Sequence, residues 1–187
     1  MKTHDPSQAP LRTRLAWLAA FIGASLVFTL GLGCEVPLIA FAAICGLRQK
    51  RREALLFVAA VWLVDELVGF SAWHYPMTAS GFGWAAAVGV AILMTTWAVG
   101  IVARRLAGAA GIVAAFTGAF VLYEVLLGAT SFAAGAMTRE AFSPAILGQV
   151  LALNGATFAG LLAVRALKPH TAPSAPSLRE LGSERHA

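Results

Sequence analysis

Asp65 and Glu66 stand side by side in the stretch VDELVGFSAWHYPMTASG, Val64 to Gly81, and Trp73, His74, Tyr75 and Pro76 follow within ten residues. Carboxylates accept protons, meet cations or hold metals, and a neutral imidazole is a common metal ligand. On a soluble surface such groups would be unremarkable. Here they interrupt a long apolar run, and an ionisable side chain at membrane depth costs at least ~2.5–3.5 kcal/mol unless it is paired or wetted. Two residues of the same kind lie further on, Glu124 beside Tyr123 and Glu140 beside Arg139.

On a helix Asp65 and Glu66 point about 100° apart. Asp65 shares a face with Val61 and Gly69, and Glu66 shares one with Trp62 and Phe70. The expectation is that Asp65 faces the protein interior while Glu66 reaches toward the interface. Blander roles exist for the neighbours. Trp73, Tyr75 and Trp84 fit an interfacial aromatic belt, His74 fits a solvated loop histidine, and Arg139 with Glu140 fits a wet loop pair. A carboxylate within the apolar run is harder to explain as idle, so Asp65, and after it Glu124, is the stronger site candidate.

The elements that carry these groups follow from composition. Of 187 residues, 59% are hydrophobic and 12% charged, about half the charged share of a soluble domain. Six apolar segments can be drawn: Leu15–Gly33, Val36–Leu47, Ala54–Phe70, Gly83–Ala103, Ala109–Ala134 and Pro144–Leu167. The second is short for a span, which takes roughly 20 residues. With six spans and both termini inside, 13 of the 14 Lys and Arg residues fall on the inner side and only Arg139 lies outside. Five spans would put RQKRR and ARR on opposite sides. Basic residues resist translocation, so the six-span arrangement with N-in/C-in orientation is expected. The fold class is then all-α, a polytopic six-transmembrane-helix bundle in a bacterial-type inner membrane. It divides into a cytoplasmic segment 1–14, a helical domain 15–167 and a polar, Pro/Ser-rich tail 168–187.

The first apolar segment is too long for a cleaved signal core of 7–15 residues, and Gly31 stands where a lipoprotein signal usually has Leu, so a retained helix is expected. Cys34 and Cys45 make no disulfide framework. No phosphate loop, HExxH or GxSxG is present. The inner loops are too short to hide a nucleotide domain, so a primary pump would need an ATPase from another chain. The basic residues are scattered over four segments rather than gathered with aromatics, which excludes nucleic acid as a partner. In the six-span arrangement Glu35, Asp65, Glu66, Glu124 and Glu140 gather on the outer side with Arg139 and His74. A bundle of this kind is suited to capture a small molecule from outside.

Length, span number, orientation, the alanines Ala16, Ala20 and Ala24 on the first helix, and the outer polar site together resemble the substrate-binding S components of energy-coupling-factor vitamin transporters. The resemblance covers Leu15 to Leu167. It implies a non-enzymatic transport protein with no intrinsic cofactor. It also implies that Ala16, Ala20 and Ala24 dock a coupling subunit, which works with ATPases. The segment VDELVGFSAWHYPMTASGFGW is similar to the cobalamin-specific BtuM-like members. That similarity implies cobalamin as substrate, with Asp65, Tyr75 and Arg139 at the site beside Trp73 and Glu124. The cysteine expected as cobalt ligand in the outer loop is missing; His74 takes its place as the expected axial ligand, with Cys34 a second candidate. Two other classes stay open. One is an intramembrane cysteine enzyme using Cys34, His74 and Arg139. The other is a non-catalytic assembly protein whose small-residue faces bind partner helices.

Overall fold

The structure, a computed structural model, describes residues 16, 18–24, 26–27, 36–106, 108–135 and 142–166. Among these, six helices and no strand are present. They are α1 within 16–27, α2 (Leu38–Arg48), α3 (Arg51–Ser71), α4 (Ala79–Val102), α5 (Gly108–Ala133) and α6 (Pro144–Ala166). Four helices are long and apolar enough to cross a membrane: α3, α4, α5 and, in α6, Pro144–Val164. Length and composition therefore fit a membrane protein. Two helices start three or four residues earlier than the apolar pattern predicts. α3 takes in Arg51 and Arg52, which are exposed at its first turn. α4 begins at Ala79 because the Thr78 hydroxyl accepts the Gly81 N–H at 3.2 Å, satisfying one of the free donors of the first turn.

α2 departs most from expectation. Its sequence, LIAFAAICGLR, is apolar on nearly every face, and a helix hydrophobic all round is stable only when covered all round. Every residue from Leu38 to Gly46 is buried, and α2 packs against α3, α4, α5 and α6. Its 11 residues extend about 16 Å, roughly half of a ~30 Å hydrocarbon layer. As one of six expected spans it is under-length; as the axis of the bundle it is well placed. Phe21 of α1, 4% exposed, completes the cover by meeting Phe41 edge-on at 5.3 Å.

Successive helices from α2 to α6 run in alternate directions. The starts of α2 and α4 line one cavity with the ends of α3 and α5, while the ends of α2 and α4 line another with the start of α5. The bundle thus has two chemically distinct ends. At one, Arg48, Arg104 and Arg105 surround a cavity of about 350 Å³, and Arg51 lies over the Trp97 ring at 5.0 Å. The other carries Asp65, Glu66 and Glu124.

Candidate functional site

Because α2 is short and central, the space beyond its first turn at the acidic end is walled by longer helices. A cavity of about 600 Å³ occupies it. Val36 and Leu38 form its floor. Asp65, Glu66 and Phe70 come from α3, Tyr75 and Pro76 from the connection, Trp84 and Val88 from α4, and Tyr123 and Leu127 from α5. A second cavity of about 250 Å³ shares Val36, Leu38, Trp84, Tyr123 and Leu127 with the first and adds Glu124, Ser131, Phe142 and Asn154. The two adjoin through Tyr123 and Trp84.

Trp62 sets the position of Glu66. Its indole N–H donates to Glu66 Oε1 at 3.2 Å, four residues along the same helix, and lies 3.2 Å from the Ala85 carbonyl of α4. The indole comes this close only because α4 has glycine opposite. A Cβ on Gly89 would sit 2.6 Å from Trp62 Cε2. Tyr75 is placed by a similar device. His74 adopts φ 54°, in the left-handed region few side chains favour, and this reversal folds the next residue back. The Tyr75 N–H then reaches the Gly69 carbonyl at 3.1 Å, and its ring lies where a Cβ on Gly69 would be. Phe70 supports it edge-on at 6.0 Å and stacks on Phe82 at 4.9 Å.

The floor is fixed from α6. Pro37 gives the start of α2 no side-chain cap, leaving its first backbone donors without partners in the helix. Asn154, 2% exposed, supplies Oδ1 to the Ala40 N–H at 3.1 Å, and its Nδ2 donates to the Val150 carbonyl at 2.9 Å.

Of the residues singled out from sequence, Asp65 and Tyr75 line the larger cavity and Glu124 the smaller. Asp65 was expected inward and Glu66 outward; instead both are half-buried and both line the cavity. The hollow is wide enough to take two directions on α3. Trp73 and His74 line neither cavity; both are exposed in the turn that delivers Tyr75. Arg139, Cys34, Glu35 and Glu140 lie outside the described residues, as do the segments 1–14 and 168–187. Cys45 is buried in α2. No three His, Cys, Asp or Glu side chains among the described residues are grouped to hold a metal. Ala16 and Ala20 are exposed on α1, whereas Ala24 is half-buried and packs against the core that holds Phe21. Sequence reasoning did not single out Trp62, Tyr123 or Asn154. The Trp62–Glu66 spacing of four was a legible signal, since such pairs meet on a helix; nothing marked Asn154.

No protein-family model matches the chain, and no curated protein or solved structure is significantly similar to it.

Proposed function

We propose that this chain is a membrane-embedded binding protein that captures a vitamin-sized organic molecule at its acidic end for uptake. The observation that carries this reading is the hollow beyond α2, about 600 Å³, with carboxylates and aromatic rings on its walls. Ligand pockets have volumes of about 300–1,000 Å³ and combine apolar walls with a few polar groups. In this reading α1 to α6 are six spans with both termini cytoplasmic. The basic end, where Arg48, Arg104 and Arg105 gather, faces inward by the positive-inside rule, and the acidic end opens outward. The open face of Ala16 and Ala20 on α1 is then the surface for a coupling subunit, as the resemblance to transporter S components implies, because small residues let membrane helices approach closely.

A corrinoid is the finer proposal from that resemblance. Its polar side chains would meet Asp65 and Tyr75, and its binding would not use His74 as a metal ligand, since His74 lines neither cavity. The test is a thermal-shift and equilibrium-binding screen of vitamins, cobalamin included, on the purified full chain in lipid nanodiscs. The expected result is saturable stabilisation by at least one compound, weakened by Trp84→Ala. Folded protein that no compound stabilises, but with which a partner chain co-purifies, would replace this reading with that of an assembly protein.

A further inference from the structure

Among the described residues, the ionisable side chains with a carboxyl group dominate the walls of the two cavities. Neither cavity is lined by a described Lys, Arg or His. Glu66 accepts one hydrogen bond, from the Trp62 indole, and Glu124 has no cation or hydrogen-bond donor against it among the described residues. Between them stands Tyr123, only 9% exposed and lining both hollows. Its hydroxyl has no hydrogen-bond partner among the described residues and is not sealed from solvent, so it is open to the hollows that Tyr123 lines. The start of α2 brings a partial positive charge of about half a unit, but Asn154 already occupies the Ala40 N–H there. Three carboxylates, Asp65, Glu66 and Glu124, outweigh it.

From this juxtaposition of Glu66, Glu124 and the unpartnered Tyr123 hydroxyl with the Trp84 ring, we propose that the cavity selects an organic cation, an ammonium or cationic heterocycle. The proposal rests on the reading of the cavity as a ligand site. The cation neutralises carboxylates that lipid would otherwise penalise. An aromatic face such as that of Trp84 attracts a cation through its ring quadrupole, and the Tyr123 hydroxyl is left to orient a polar group of the ligand.

The experiment measures binding to the full chain in nanodiscs of two isosteric pairs that differ only in charge. These are choline with 3,3-dimethylbutan-1-ol, and benzyltrimethylammonium with neopentylbenzene; benzoate and cobalamin are the anionic and corrinoid arms. The expected result is that each cation binds about tenfold more tightly than its neutral partner, the ratio set by about 1.4 kcal/mol. That preference should fall to near unity in Glu66→Gln and Glu124→Gln, with circular dichroism and size-exclusion profiles showing both variants folded. Neutral or anionic compounds binding as well as the cations would overturn the cation proposal and leave the ligand-site reading standing. Cobalamin binding while the cations do not would do the same. Binding by no compound in either this panel or the vitamin screen would overturn both.

Discussion

Asn154→Leu tests how the floor of the cavity is held. Leucine is close to asparagine in size but offers no acceptor, so the Ala40 N–H, now 3.1 Å from Oδ1, is left buried and unpaired. Pro37 provides no cap to take over, and Ala40, whose N–H is at stake, is 0% exposed and lines neither cavity. An unsatisfied buried donor costs about 1–3 kcal/mol. The other bond of Asn154, to the Val150 carbonyl, matters less because that carbonyl lies within α6 and keeps its helical partner. Leucine gains some apolar burial, so a net loss of about 1–2 kcal/mol is expected from these opposing effects. For a chain of this length that corresponds to a Tm lowered by roughly 2–8 °C. Thermal unfolding of the detergent-purified protein measures the loss, and amide hydrogen exchange over the first turn of α2 locates it. An unchanged Tm together with unchanged protection at Ala40 would refute the idea that α6 caps α2.

Three further outcomes are expected. Gly89→Ala puts a methyl group 2.6 Å from Trp62 Cε2, so the indole must shift; thermal unfolding should show a loss of about 1–3 kcal/mol, and none would mean Trp62 turns away freely. His74→Ala should leave the affinity of any bound compound within about twofold, since His74 lines neither cavity and surface changes are usually within about 0.5 kcal/mol; a larger change in titrations would bring the imidazole back to the site. Ala20→Leu, on the exposed face of α1, should alter stability by no more than about 0.5 kcal/mol. A greater loss in the same melting assay would show that face to be packed within the bundle.

The helical class and the long segments were legible because runs of Ala, Leu, Val and Phe of this length have few other uses. The role of α2 was not. A short apolar run reads alike whether it is an under-length span or a covered core helix, and only its contacts with α3 to α6 separate the two. Asp65 and Glu124 could be singled out by the penalty on idle carboxylates. The same reasoning could not say that Glu66 shares the cavity, because that depends on the Trp62 indole resting against Gly89. The turn through Trp73 and His74 shows a different limit. Adjacent aromatic and polar residues invite a joint role, yet the positive φ at His74 turns Tyr75 back over Gly69 to the cavity, while Trp73 and His74 line neither hollow.

The brevity of α2 also separates depth from width. Depth is governed by where one central rod stops, while the taller columns around it govern width and chemistry. One additional helical turn at the top of that rod would advance it by about 5.4 Å and shrink the chamber without altering a single wall residue; removing a turn would deepen it. A scaffold with this division of labour can be re-gauged for larger or smaller guests at one place in its sequence, near Pro37, while the charges that choose among them stay where they are.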